Sequence, residues 1–119
     1  VNRIEPALLG SLLDSMKHPV LFVDTDHIIR YMNRTAVVHY AKDGGEKLIG
    51  TSVLDCHNEQ SRAMIHEIFA AMREGLEERM ITDNEKHRIY MRAVRDGDGK
   101  LLGYFERYEP PRAQDSPAR

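Results

Sequence analysis

The sequence predicts an α+β fold, a five-stranded antiparallel sheet with helices packed on one face and an amphipathic helix ahead of it. Three observations lead there. Two short apolar runs flank the carboxylate-rich turn Asp24-Thr25-Asp26, three longer runs with strand character close the chain, and the segments between them carry helical spacing. A hairpin at the start, helices in the middle and a meander at the end combine most simply as one sheet covered by helices. The 119 residues give room for a single core.

Residues 6–17 place Leu8, Leu9, Leu12, Leu13 and Met16 three and four apart, one apolar stripe of a helix that Pro6 opens and Pro19 ends. Residues 20–23 then form a buried strand, and residues 28–32 return as its hairpin partner. Asn33 caps a short helix containing Ala36, Val37 and Val38. Asp43-Gly44-Gly45 breaks the chain before the short apolar piece Leu48-Ile49. Over residues 59–74, Ile65, Ile68, Phe69 and Met72 share one helical face, and Gly75 stops the helix. Strands follow at 78–82 and 88–94, the second alternating Ile89, Met91 and Ala93 with polar neighbours. Asp96-Gly97-Asp98-Gly99 turns the chain into a last strand at 101–108, where Gly103 marks a bulge or a close backbone approach. Pro110-Pro111 ends that strand. The expected organisation is thus an N-terminal helix (1–19), a sheet-and-helix core (20–109) and a flexible tail (110–119).

Composition removes several function classes. With 41% hydrophobic and 30% charged residues the chain has the balance of a soluble globular protein. Its longest apolar run, Val20-Leu21-Phe22-Val23, is far too short for a membrane span, and no signal peptide opens the sequence. Seventeen Lys and Arg against nineteen Asp and Glu give a net charge of -2 without a basic block, so no direct nucleic-acid partner is expected. The single cysteine, Cys56, cannot form an internal disulfide, which fits a cytoplasmic setting. Asp24-x-Asp26 and Asp96-x-Asp98-Gly99 lack the further ligands of a calcium loop, and Gly50-Thr51-Ser52 lacks the second glycine of a nucleophile elbow. No metal site and no enzymatic activity are expected.

Three stretches, in order, carry a likeness. They are Val23-Asp24-Thr25-Asp26-His27-Ile28-Ile29-Arg30-Tyr31-Met32-Asn33-Arg34-Thr35-Ala36, Glu46-Lys47-Leu48-Ile49-Gly50-Thr51-Ser52-Val53 and Arg92-Ala93-Val94-Arg95-Asp96-Gly97-Asp98-Gly99-Lys100-Leu101-Leu102-Gly103. On these the sequence resembles the PAS sensory domain family from about Leu12 to Tyr108, with His27 standing where a glycine is more usual. The resemblance implies the fold read above from periodicity. It further implies a sensing or protein-interaction module of a two-component or transcriptional signalling system, often dimeric through a helix preceding the first strand. A chain of this length leaves no room for an effector unit, so a fragment of a larger protein or a free-standing sensor is expected. The expected function is a sensor domain that binds a small ligand or an effector partner and relays a conformational change as a homodimer. The alternatives are a haem-binding redox or gas sensor and a ligand-free dimerisation module.

The candidate sites follow. Light-sensing members of the family place a reactive cysteine three residues after the glycine before the central short helix; here that position is Val53, so a flavin adduct is not expected and Cys56 reads as a small buried hydrophobe. Haem is the cofactor to test among six histidines, and the resemblance points to the central helix and its approach. His66 and His57 are the candidates, with His39 as a third. Spacing puts His66 at the edge of the apolar stripe, and His57 reads equally as part of a helix cap beside Asn58. A pocket for a small ligand is expected from Met32, Met64, Ile68, Met72, Met80, Tyr90, Met91 and Arg92, since thioethers adapt to variable contents. If the Tyr90 and Arg92 face turns toward the helices, that pocket recognises an anion; periodicity leaves the facing open. Leu8, Leu9, Leu12, Leu13 and Met16 are the expected dimer interface.

Overall fold

In a computed structural model, which describes residues 3–112, the chain runs α1 (Pro6–Asp14), β1 (Leu21–Asp24), β2 (Ile29–Met32), α2 (Arg34–His39), three short 3-10 turns, α3 (Glu59–Arg73), β3 (Glu78–Asp83), β4 (Arg88–Arg95) and β5 (Leu101–Glu109). The expected tail residues 113–119 lie outside the described residues. The strands form one antiparallel sheet in the order β2-β1-β5-β4-β3. The last strand is therefore the central one, and its pairing with β1 joins the N-terminal hairpin to the C-terminal meander.

Local chemistry explains the boundaries. Pro6 sits in the first turn of α1, but the helix stops at Asp14 rather than running to residue 17. Its end is taken over by the start of α2. The Asn33 side-chain amide donates to the Leu13 carbonyl at 2.8 Å, the Thr35 hydroxyl to Met16 at 2.7 Å, and the Asp14 carboxylate accepts from the Arg34 N–H at 2.8 Å. Between β1 and β2, Asp24 Oδ1 accepts from the N–H groups of Asp26 and Ile28, closing the turn. Asn58 caps α3 by accepting from Ser61 N–H, and Gly75, at φ 114°, ends it. The Arg95 guanidinium donates to the carbonyls of Met72 and Leu76 there, a cation placed at a helix C-terminus.

The core lies between α3 and one face of the sheet. Ile65, Ile68, Phe69 and Met72 of α3 pack with Val23, Ile29, Met91, Ala93 and Tyr104, and Met32 and Ala36 extend the cluster beneath α2. Burying side chains of this size contributes roughly 1.5–3 kcal/mol each. Gly103 is a close approach: at φ 152°, a Cβ there would stand 2.0 Å from the Val23 carbonyl oxygen, so no side chain fits between β5 and β1.

The facing of β4 corrects one expectation. Ile89, Met91 and Ala93 turn toward α3, whereas Tyr90, Arg92 and Met80 of β3 lie on the outer face. Arg107 stacks over Tyr90 at 4.4 Å and pairs with Glu78 at 2.8 Å and with Glu109; Arg92 also reaches Glu78, at 3.4 Å, and Arg88 reaches Glu109 at 3.1 Å. This lattice holds the arginines in water-accessible positions, where their charge keeps most of its hydration.

Candidate functional site

A cavity of about 450 Å³ opens between α3 and the inner face of the sheet. The approach to α3 and its first turns contribute Val53, His57, Ser61, Met64 and Ile65, and the sheet contributes Val23, Ile81, Met91, Tyr104 and Glu106. A smaller chamber of about 220 Å³ shares Leu21, Val53, His57 and Glu106 with it and extends beneath the 3-10 turns to Tyr40, Asp43 and Cys56. The walls are mostly apolar, with a few polar groups placed among them, the usual composition of a small-molecule site.

Two of those polar groups are fixed by the fold. The His57 Nδ1 N–H donates to the Val53 carbonyl at 2.7 Å, which sets the ring orientation and leaves Nε2 as its other nitrogen. Glu106 stands on β5 directly across from Met91 of β4, and cross-strand partners share a face, so its carboxyl points toward the α3 side with Tyr104 and Tyr108. Burial raises the Glu106 carboxyl above the ordinary carboxylate range, with His57 acting in the opposite direction. Burial, followed by the nearby Glu106, also raises the hydroxyls of Tyr40, Tyr104 and Tyr108.

Of the three candidate haem histidines, only His57 borders the cavity. His66 is exposed on α3, edge-on to His27 at 5.1 Å, and His39 is exposed at the end of α2, 4.6 Å from the Tyr40 ring. Met64 and Met91 line the cavity, while Met32, Ile68 and Met72 are buried in the core beside it. Met80, Tyr90 and Arg92 do not reach it, for the reason of facing given above. Cys56 is exposed rather than a buried hydrophobe, because the 3-10 turn Val53–Cys56 directs Val53 and Leu54 toward the core instead.

Tyr104 and Glu106 are polar site residues that sequence reasoning missed, and Glu106 is the charged one. Between Phe105 and Arg107 it reads as solvated strand surface; only the register that sets it opposite Met91 reveals its inward facing.

On the other face of the sheet, α1 lies over a groove of about 590 Å³ lined by Leu9, Leu13 and Met16 together with Phe22, Tyr31 and Phe105. Leu8 and Leu12 do not line it and are exposed. Among the described residues no helix is long and apolar enough to cross a membrane, and no three His, Cys, Asp or Glu side chains converge to hold a metal ion.

The family model described as the PAS domain matches residues 9–108. Among solved structures the chain is similar to the C-terminal domain of a Streptococcus mutans protein, at 18% identity and a TM-score of 0.75, covering 90% of this chain and 85% of that one. It is similar to a sensory box sensor histidine kinase from Vibrio cholerae at 18% identity and a TM-score of 0.59, covering 86% and 87%. A third is the Aer2 receptor from Vibrio cholerae, a dual PAS-heme oxygen sensor, at 16% identity and a TM-score of 0.52, covering 87% and 97%. At these identities the likeness is one of fold. No curated protein matches the sequence.

Proposed function

The chain belongs to the PAS domain family, and from that premise we propose that it is a sensor module of a signalling protein, one that takes a small colourless ligand between α3 and the sheet. The observation that carries this reading is the cavity of about 450 Å³ with His57, Tyr104 and Glu106 set among apolar walls. A ligand-free interaction module would have that volume filled by side chains. Relay to the outside has a physical route through β5. Tyr104 and Glu106 face the cavity, while Phe105 between them also lines the groove under α1 on the opposite face. A change of packing at the ligand therefore reaches the α1 seat within one strand. The exposed stripe of α1 is the surface on which a second copy would receive it.

A haem reading has one observation in its favour. His57 presents Nε2 with Nδ1 already donating to a backbone carbonyl, the arrangement of an oriented ligating histidine. The remaining residues do not fit the group. Among the described residues no Lys or Arg borders either chamber to receive propionates, and Glu106 and Asp43 present carboxyl groups instead.

An ultraviolet–visible spectrum of the purified chain, before and after addition of haemin, separates the two readings. No Soret band retained through desalting is the expected result. A retained band that disappears in His57→Ala would overturn the colourless-ligand reading in favour of haem.

A further inference from the structure

Glu106 faces the cavity with no ion-pair partner among the described residues. The residues opposing its burial include no hydrogen-bond donor among those described; the one favourable influence is the charge of His57, whose Nδ1 is already engaged by Val53. The sheet's arginines are engaged elsewhere: Arg92 and Arg107 with Glu78, Arg88 with Glu109, Arg95 with Glu77. Asp43 adds a carboxylate at the far side of the smaller chamber, next to Tyr40. A half-buried carboxyl with no cationic partner is harder to keep ionised than one in open water, and burial accordingly raises its proton affinity. A cavity built this way disfavours anions. It rewards a ligand that brings its own positive donor, because the ligand then supplies the partner that the fold withholds.

We infer that the cavity takes a small organic base, an amine or nitrogen heterocycle on an apolar body, whose protonated nitrogen pairs with the Glu106 carboxylate while the body packs against Met64, Ile65 and Met91. The inference rests on the ligand-sensor reading and names the class of molecule sensed. The apolar lining sets the size and shape of the body, and Glu106 sets the charge of the head. Tyr104 lines the larger chamber and Tyr40 the smaller one, both near enough to Glu106 for its charge to help raise their hydroxyls.

Three near-isosteric probes test it on the whole chain: phenethylamine, 2-phenylethanol and 3-phenylpropionate, titrated near neutral pH into the native protein and Glu106→Gln while amide resonances are followed by ¹H–¹⁵N correlation spectra. Phenethylamine is expected to move the signals of Val53, Ile65, Met91 and Glu106 and to bind at least about tenfold more tightly than the alcohol. Glu106→Gln is expected to bind the amine and the alcohol equally. Should Glu106→Gln fail to fold, the ranking of the three probes on the native chain decides alone. Equal or tighter binding of the alcohol or the carboxylate in this cavity would overturn the choice of a base and leave the sensor reading standing. If all three probes fail at millimolar concentration, or move only the signals around the α1 groove, the base and the cavity reading fall together.

Discussion

His27 occupies a backbone position that most side chains avoid, φ 64° at the end of the β1–β2 turn. What holds it there is visible around the ring: Nδ1 hydrogen-bonds the Tyr104 hydroxyl at 2.8 Å, and the imidazole packs edge-on to Phe69 at 4.9 Å between ring centroids. Burial first, then the charges of His66 and Arg73, push the His27 pKa below its ordinary value of 6.5, against the opposing pull of Asp24 and Asp26. The unfolded chain therefore takes up this proton more readily than the folded one. Stability from neutral His27 is fully present above the ordinary value of 6.5 and is lost as pH falls through the depressed folded-state pKa. The unfolding temperature of the native chain is accordingly expected to drop more between neutral and mildly acidic pH than that of His27→Asn. Asparagine tolerates the same backbone conformation but carries no titratable ring. Parallel pH profiles for the two proteins would assign the acid sensitivity to other groups.

At the scale of elements, the sequence revealed periodicity well and facing poorly. The stripe Ile65, Ile68, Phe69 and Met72 identified α3 and its buried side together, because only one face of that helix is apolar. In β4 both faces carry large side chains, Ile89 and Met91 on one and Tyr90 and Arg92 on the other, so alternation alone did not choose between them. The choice is made by a lattice with Glu78, Arg107 and Glu109, residues far apart in sequence. The same long-range register turns Glu106 inward, which is why spacing pointed to methionines of this region and not to its carboxyl. Helix α1 poses a similar question, since Leu9, Leu13 and Met16 border the groove over the chain's own sheet, yet Leu8, Leu9, Leu12 and Met16 all stay exposed. An exposed apolar stripe on a helix that buries none of its residues is the kind of surface that a second copy covers. Size-exclusion chromatography with light scattering at high micromolar concentration is expected to show a dimer. Leu8→Lys with Leu12→Lys is expected to weaken it by at least about tenfold without changing the circular dichroism spectrum. A native chain that stays monomeric would restrict α1 to covering its own sheet.

For the molecule as a whole, the decisive junction is Asn33, fully buried where α1, β1 and α2 meet. Its Oδ1 accepts from the N–H groups of Val20 and Ala36, at 2.9 and 2.8 Å, which binds the start of β1 to the first turn of α2. Its Nδ2 donates to the carbonyls of Leu13 and His18, at 2.8 and 3.3 Å, which ties the end of α1 and the linker to the same point. One side chain thus separates two jobs by atom: the oxygen holds the core together and the nitrogen attaches the N-terminal helix to it. Asn33→Asp keeps the oxygen and replaces the donor with a carboxylate oxygen facing two carbonyls, so the attachment should fail while the cap survives. The loss of two hydrogen bonds and the unfavourable approach of like partial charges cost roughly 1–3 kcal/mol. Because that cost falls on the docked helix, amide hydrogen exchange in residues 6–18 should accelerate by one to two orders of magnitude, with α3 and the central strands little changed. Equal acceleration throughout the chain would instead make Asn33 part of the global core. If the helix loosens selectively, a ligand bound between α3 and the sheet in this variant should no longer alter exchange in α1, because the helix that reports it is no longer held over the strand that feels the ligand.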